Sequence, residues 1–156
     1  KIKKIMSHCC IGVDVITGFP GETKAEYLKT YDFLRELDVS YLHVFSYSER
    51  ENTRAFEMAN PVPKKERQKR SVMLRTLSEK KKRYFYETQR DQIRTVLFED
   101  NIEDGEMQGY TENYVRITAK YDPMLTNELK KVRLSELDKK GNFQVLEIEE
   151  YLPILK

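Results

Sequence analysis

The sequence has few of the residues that build disulfides, metal centres or membrane spans. Its 156 residues include no tryptophan and only two cysteines, the adjacent Cys9 and Cys10. Neighbouring cysteines seldom bridge to each other because the geometry is strained, and their spacing matches no metal-ligand motif. We therefore expect no disulfide framework, no metal site, two small buried thiols and a reducing, cytoplasmic setting.

Long apolar runs are also absent, since no stretch approaches the ~20 residues of a membrane helix. No secretory leader follows Lys1, and a start at lysine suggests an excised or processed chain. The length is short for a complete α/β barrel, which needs about 200–250 residues. With 39% hydrophobic and 35% charged residues, the composition predicts a modest core under a heavily solvated surface.

The net charge of +2 conceals an uneven distribution along the chain. Residues 1–62 carry a net charge of −1, residues 63–94 carry +8 and residues 95–156 carry −5. The basic charge is thus concentrated in the middle segment. That segment is where we expect a polyanion to be steered.

The first segment has the pattern of a β-α-β unit. Residues 11–17 are apolar and β-branched, as in a strand of a parallel sheet, and residues 41–47 predict a second strand. Between them, Thr23-Lys24-Ala25-Glu26 fits a capping box that begins a helix. Its predicted apolar stripe comprises Tyr27, Tyr31, Phe33, Leu34 and Leu37. Two strands cannot bury both faces of a sheet, so this segment predicts the end of a larger barrel.

The remainder predicts one long helix followed by short strands. Asn60-Pro61-Val62-Pro63 ends the preceding structure, and residues 64–90 lack Gly and Pro, which favours a helix. Its predicted apolar stripe comprises Met73, Leu74, Leu77, Tyr84 and Phe85. Five short runs follow, at residues 93–99, 106–110, 114–120, 129–137 and 143–148, with turn signals at Asp104-Gly105 and residues 140–142. They predict a small closed barrel of the oligonucleotide-binding type.

Candidate ligand residues lie at the ends of the two predicted parallel strands. The loop Gly18-Phe19-Pro20-Gly21-Glu22-Thr23 fits neither the Walker nor the dinucleotide pattern, so a nucleoside suits it better than a phosphate. A turn without a ligand is an open alternative. Gly12, Asp14, Ile16 and Gly18 share one side of the first strand. Tyr47, Ser48 and Arg50 follow the second strand, where barrel sites form, while His43 within it predicts a packed residue.

The predicted barrel has one segment that interleaves aromatic and polar residues. In Gly109-Tyr110-Thr111-Glu112-Asn113-Tyr114-Val115-Arg116, such a mixture can stack bases and contact phosphates. The same aromatics can equally be core residues of a small barrel. The acidic charge of this segment argues against a broad electrostatic footprint, so both interpretations stay open.

Three stretches resemble one enzyme family, the radical S-adenosylmethionine methylthiotransferases. Residues 14–23 resemble the motif after their fifth barrel strand, and residues 41–50 resemble their sixth strand. Residues 109–116 are similar to the signature of their terminal RNA-binding barrel, the TRAM domain. The three matches occur in the order of the family and span most of the chain. The sequence departs from the family at Ser46, usually Pro, and at Arg50-Glu51-Asn52-Thr53, usually Arg-Pro-Gly-Thr.

The resemblance implies a reaction, and a chain that lacks the residues to start it. In the family, S-adenosylmethionine and two 4Fe-4S clusters add a methylthio group at C2 of a hypermodified adenosine beside the anticodon of tRNA. One cluster is held by a CxxxCxxC motif and the other by three cysteines. Cys9 and Cys10 match neither. The expected fold is the β-α-β end of an α/β barrel, a basic helix and a TRAM barrel, in a fragment that is itself inactive.

The resemblance also implies roles for particular residues. Those expected near the adenosyl group are Gly12, Asp14, Ile16, Gly18, Pro20 and Glu22. Those expected toward substrate are Tyr47, Ser48 and Arg50. Those expected to face tRNA are Lys64, Lys65, Arg67, Lys69, Arg70, Lys81, Tyr110, Asn113, Tyr114, Arg116 and Arg133.

The strand Tyr-Leu-His-Val-Phe with Arg50 resembles the branch that acts on threonylcarbamoyladenosine. The isopentenyladenosine branch and the ribosomal-protein branch are alternatives, as is a non-catalytic RNA-binding module. A stand-alone nucleotide-binding enzyme ranks last, because no constellation of His, Cys, Asp or Ser supports one. The predicted divisions are 1–62 partial barrel, 63–90 linker helix, 91–150 TRAM barrel and 151–156 tail. Exposed edges of the partial barrel allow a dimer.

Overall fold

A computed structural model describes residues 1–145 and 148–149, so the predicted tail at 151–156 lies outside the described residues. The helices are α1 (Ile2–Ile5), α2 (Lys24–Glu36) and α3 (Lys64–Glu87), with a short 3-10 helix at Pro123–Leu125. The strands are β1 (Gly12–Thr17), β2 (Tyr41–Ser46), β3 (Ile93–Glu103), β4 (Glu106–Thr111), β5 (Arg116–Lys120), β6 (Leu129–Arg133), β7 (Glu136–Leu137), β8 (Phe143–Gln144) and β9 (Ile148–Glu149).

The chain divides into two compact units. One, here the α/β unit, is Ile11–Tyr84, and the other, here the sheet unit, is Lys1–Cys10 with Phe85–Lys156. The division falls inside α3, between Tyr84 and Phe85. The first ten residues belong with the sheet, a grouping that the sequence pattern does not predict.

The α/β unit has the predicted β-α-β order. β1 and β2 pair in parallel, from Gly12 opposite Tyr41 to Thr17 opposite Ser46. The capping box is confirmed, because the Glu26 amide donates to Thr23 Oγ1 at 3.2 Å and the Thr23 amide donates to the Glu26 carboxylate at 2.8 Å. These bonds satisfy amides at the start of α2 that have no helical partner, and the Thr23 amide lowers the pKa of Glu26.

Both helices of this unit bury one side, but each predicted stripe is too wide. The core contains Tyr27 and Leu34 of α2 with Leu74 and Leu77 of α3. Phe33 is 62% exposed, which makes its prediction as a core residue wrong. The predictions for Met73 and Tyr84 are wrong in the same way. The buried side of α3 instead includes four polar residues, Arg67, Arg70, Ser71 and Ser78.

The sheet unit is built on seven strands in the order β7-β8-β5-β4-β3-β6-β9. The central pairs β4–β5, β3–β4 and β3–β6 are antiparallel, while β5 and β8 run parallel. Asp104-Gly105 makes the predicted turn between β3 and β4, with positive φ at both residues. Within the described residues no pairing joins β7 to β9, so the ladder is open and the predicted closed barrel is not formed.

The core of the sheet unit lies on one side of these strands. Its fully buried side chains include Val96 and Phe98 of β3, Met107 of β4, Ile117 of β5 and Val132 of β6. They alternate with outward residues as a half-buried sheet requires. Cys9 is buried and Cys10 packs against this core, and neither forms a disulfide within the described structure.

Candidate functional site

The glycine-containing loop after β1 is held by the beginning of α3. Gly18 has φ +80°, a conformation that favours glycine, and a Cβ there would overlap the Arg67 side chain. The Gly18 amide donates to Glu22 Oε2 at 2.8 Å, and the Gly21 amide donates to the Asn60 carbonyl at 2.9 Å. The loop is therefore a closed, internally bonded turn with Pro20 buried inside it.

Arg70 fixes the end of that loop. Its Nη1 donates to the Glu22 carbonyl at 3.0 Å and to Glu22 Oε2 at 2.5 Å. Its guanidinium also lies 5.2 Å from the centre of the Tyr27 ring, and the Tyr27 hydroxyl donates to the Arg70 carbonyl at 3.0 Å. Burial is the main cause that raises the pKa of Tyr27 to about 12. Glu22 is therefore committed to protein partners.

Arg67 does the same for the segment after β2. Its Nε donates to the Val62 carbonyl at 2.6 Å, its Nη1 donates to the Tyr47 carbonyl at 3.0 Å, and its Nη2 pairs with Glu49. The hydrogen bond from Arg67 is the main cause that lowers the pKa of Glu49 to about 2. The Tyr47 ring packs under the guanidinium and edge-on to Phe19, with ring centres 5.5 Å apart.

Arg67 and Arg70, which the sequence predicts to face tRNA, are buried in the structure. Both are 5% exposed, and their guanidinium groups bind the two loops described above. Burying a cation is costly unless it is paired and hydrogen-bonded, and here each guanidinium has a carboxylate and carbonyl oxygens. Lys81 donates to the carbonyls of Arg35 and Leu37, at 3.0 and 2.7 Å. Lys64, Lys65 and Lys69 are exposed.

A cleft of about 290 Å³ opens where the segment after β2 meets α3. Its lining residues are Ser46, Tyr47, Ser48, Glu49, Lys64, Arg67 and Gln68. The structure thus brings Tyr47 and Ser48, predicted to contact substrate, together with Lys64, predicted to contact RNA. Arg50 is exposed and does not line the cleft. Gln68 also lines the cleft, although no local sequence signal marks it as a site residue.

The face of β1 and β2 away from the helices is exposed. Gly12, Asp14 and Ile16 lie on it opposite Tyr41, His43 and Phe45. Ile16 is 60% exposed and Phe45 is 53% exposed. The Tyr41 ring lies where a Cβ on Gly12 would be. His43 is exposed rather than packed, with its ring edge-on to Tyr41 at 4.9 Å.

The sheet unit carries an aromatic and basic surface on its outer face. Tyr110 and Tyr114 lie with ring centres 5.1 Å apart, and Tyr114 is 65% exposed. Arg116 lies directly opposite Tyr110 and donates to the Gln108 side chain. The same face holds Leu97, Leu129, Lys131 and Arg133 on the neighbouring strands. We call this set the tyrosine face.

Asn113, which the sequence predicts to contact RNA, does not belong to the tyrosine face. It is 6% exposed. Its Nδ2 donates to the His8 carbonyl and to Gln89 Oε1, both at 2.8 Å, and its Oδ1 accepts from Thr111 Oγ1 at 2.7 Å. These bonds shape the turn that presents Tyr114 at φ +66°.

Neither a metal site nor a membrane span is found in the part of the chain that the structure describes. No group of three or more His, Cys, Asp or Glu side chains there has the arrangement to hold a metal ion. No described helix is both long enough and apolar enough to cross a membrane.

The sequence is similar to curated tRNA-modifying enzymes along most of its length. It is 31% identical to the threonylcarbamoyladenosine tRNA methylthiotransferase of Bacillus subtilis over 86% of this chain and 31% of that protein. It is 36% identical to the same enzyme of Aquifex aeolicus over 69% of this chain and 25% of that protein. It is 31% identical to the tRNA-2-methylthio-N(6)-dimethylallyladenosine synthase of Lachnoclostridium phytofermentans over 87% of this chain and 30% of that protein. No protein-family model matches the chain.

The relatives define a class, enzymes that modify tRNA by methylthiolation. The chain belongs to this tRNA methylthiotransferase family, which confirms the resemblance inferred from residues 14–23, 41–50 and 109–116. It spans less than a third of the length of the relatives described above.

Proposed function

We propose that the chain is the C-terminal part of a radical S-adenosylmethionine enzyme that adds a methylthio group to a hypermodified adenosine in tRNA. The observation that carries the proposal is the match of relatives with this activity across both units. The chain by itself binds RNA and does not catalyse. Cys9 and Cys10 are adjacent, and neither their spacing nor their packing fits a 4Fe-4S cluster.

The exposed face of β1 and β2 supports a role beside S-adenosylmethionine, which supplies radical chemistry in this family when bound. The face mixes apolar side chains, Ile16 and Phe45, with polar ones, Asp14 and His43. Such a mixture suits a nucleoside, which has both an aromatic base and hydroxyl groups. Gly18, Pro20 and Glu22 then shape the adjoining loop from within, since Glu22 is occupied by Arg70 and the Gly18 amide.

The cleft between the segment after β2 and α3 is proposed to receive the substituent on the target adenosine. Its volume of about 290 Å³ is ample for a side group, and its rim includes the exposed ammonium of Lys64. A threonylcarbamoyl group carries a carboxylate, whereas a dimethylallyl group is apolar. Glu49 also lines the cleft, but its carboxylate is paired with Arg67. The Lys64 cation therefore favours the threonylcarbamoyladenosine branch over the isopentenyladenosine branch.

The tyrosine face is proposed to bind RNA. Exposed aromatic rings stack on unpaired bases, and neighbouring cations contact phosphates. Lys131 and Arg133 supply those cations on β6. The exposed Lys64, Lys65 and Lys69 are proposed to contact phosphates from the α/β unit, apart from this face. The predicted cytoplasmic location and the predicted dimer stay predictions.

The test is to measure RNA binding by the 156-residue chain, with fluorescence anisotropy as the readout, at two salt concentrations. The Tyr114→Ala variant is expected to lose about 1–3 kcal/mol of binding free energy, the contribution of one stacked base. Tyr121→Ala is the matched control, because Tyr121 is 39% exposed in the same unit. Affinity should fall steeply with salt. Equal affinities for the two variants, or binding that is insensitive to salt, would refute the RNA-binding role of this face.

A further inference from the structure

The sheet unit contains a small polar pocket at one end of the tyrosine face. The pocket has a volume of about 70 Å³. Its lining residues are Glu103, Glu106, Gln108, Arg116, Thr118, Lys140 and Asn142. Three of these, Gln108, Thr118 and Asn142, are polar yet less than 9% exposed. Buried polar side chains in a concave site are able to fix the orientation of a ligand by hydrogen bonds.

The pocket has carboxylates at one side and cations at the other. Glu103 lies directly opposite Glu106 across the β3–β4 hairpin, an arrangement of like charges that destabilises a sheet. Gln108 connects the two sides, because its Nε2 lies 3.5 Å from Glu103 Oε2 and its Oε1 accepts from the Arg116 guanidinium. Arg116 Nε is buried and has no hydrogen-bond partner in the described structure. The lining thus has hydrogen-bond acceptors at Glu103 and Glu106 and donors at Arg116, with Gln108 between them.

The pocket and the tyrosine pair lie on one continuous surface. Glu106, Gln108 and Tyr110 are alternate residues of β4, so their side chains share a face. Arg116 and Thr118 lie opposite Tyr110 and Gln108 on β5. Tyr110 and Glu106 are four residues apart, roughly 13 Å along a strand. A single-stranded RNA that stacks on the tyrosines can place a nearby base over the pocket.

We propose that this pocket reads the Watson–Crick edge of an unpaired guanine, an inference that rests on the proposed RNA-binding function. Guanine presents two adjacent donors, N1–H and N2–H, which match a carboxylate, and one acceptor, O6, which matches a guanidinium or ammonium. Adenine presents the acceptor N1 where guanine has a donor, so it faces a carboxylate unfavourably. The small volume admits the edge of a base, and the two carboxylates repel a phosphate.

The experiment compares the affinities of the 156-residue chain for short single-stranded RNAs that differ at one central base. Fluorescence anisotropy measures each affinity. The guanine RNA should bind about tenfold more tightly than the adenine RNA, which corresponds to one good bidentate pair. The inosine RNA, which lacks the N2 amine, should lie between them. The Glu103→Gln and Glu106→Gln variants should each lose most of the preference for guanine.

Glu128→Gln is the matched control, because it removes the same charge from an exposed position outside the pocket. It should keep the full preference, and far-UV circular dichroism checks that all three variants are folded. Equal binding of guanine and adenine RNA by the unaltered chain would refute guanine recognition by this pocket without contradicting RNA binding. A preference for guanine that survives both substitutions would refute it in the same way. No binding of any RNA would overturn the proposed function as well.

Discussion

The two units of this chain place their arginines differently. In the α/β unit, Arg67 and Arg70 are buried, and they hold the segments after β1 and β2 through carboxylates and carbonyl oxygens. In the sheet unit, the interior is apolar around Phe98 and Met107, and Arg116 and Arg133 lie on the outer face. The comparison shows that basic residues can stabilise the fold from the interior of one unit and lie on the outer face of another.

The largest expected effect tests the apolar side of this comparison. Phe98→Ala should lower the free energy of unfolding of the sheet unit by about 3–5 kcal/mol, since Phe98 is fully buried and its removal leaves a cavity. Urea unfolding followed by circular dichroism, with hydrogen exchange of strand amides to separate the units, measures it. Leu97→Ala is the matched control at a 45% exposed neighbour, and it should cost far less. Similar losses would contradict the assigned core.

The next largest expected effect tests the buried ion pairs of the α/β unit. Arg70→Ala should destabilise the α/β unit by about 3 kcal/mol, because removal of one partner leaves the half-buried Glu22 carboxylate without its cation. The remaining hydrogen bond from the Gly18 amide keeps the loss at the lower end of that range. The measurement is again urea unfolding with hydrogen exchange.

Lys69→Ala is the control for that substitution, because Lys69 is the exposed neighbour on α3 and carries the same charge. It should change stability by less than about 0.5 kcal/mol. If Arg70→Ala behaved like Lys69→Ala, the buried arginine would not be a scaffold, and the contrast between the two units would fail.

Much of the fold follows from local sequence signals. The capping box at Thr23 and Glu26 and the turn at Asp104-Gly105 each involve a few neighbouring residues with a defined geometry, so the pattern alone identifies them. Short apolar, β-branched or aromatic runs likewise predict β1, β2 and most strands of the sheet unit. The open ladder was not predictable, because closure of a barrel depends on pairings between distant strands.

The candidate site was less predictable, for a physical reason. Composition shows that α3 is basic, but whether a cation is buried depends on carboxylates elsewhere, such as Glu22 and Glu49, that meet it only in the folded chain. Asn113 similarly lies in a motif with an RNA-binding resemblance, yet its partners are His8 and Gln89. Tyr114 was named only through the resemblance, because its exposure depends on a turn that ends before the strand begins at Arg116, whereas the sequence pattern predicts a strand from residue 114.

The smallest effect compares one buried tyrosine in each unit. Burial raises the pKa of Tyr27 in the α/β unit and of Tyr86 in the sheet unit to about 12, from an ordinary value of 10. In each case the Tyr hydroxyl also has a backbone partner, the Arg70 carbonyl or the Arg116 amide. A raised folded-state pKa means that the stabilising contribution is complete below about pH 10. It is then lost as the pH rises from about 10 to about 12.

Absorbance of tyrosinate at 295 nm during an alkaline titration should therefore show a late component from these two residues. Tyr27→Phe and Tyr86→Phe should each remove about half of that component, and the double variant should remove it all. Each single variant serves as the control for the other, since their units are separate. A late component that is unchanged in either single variant would place that hydroxyl in solvent. The loss of the whole late component in one variant would mean that only one unit raises the pKa of its buried tyrosine. The two cores would then differ in how well they exclude water as well as in charge.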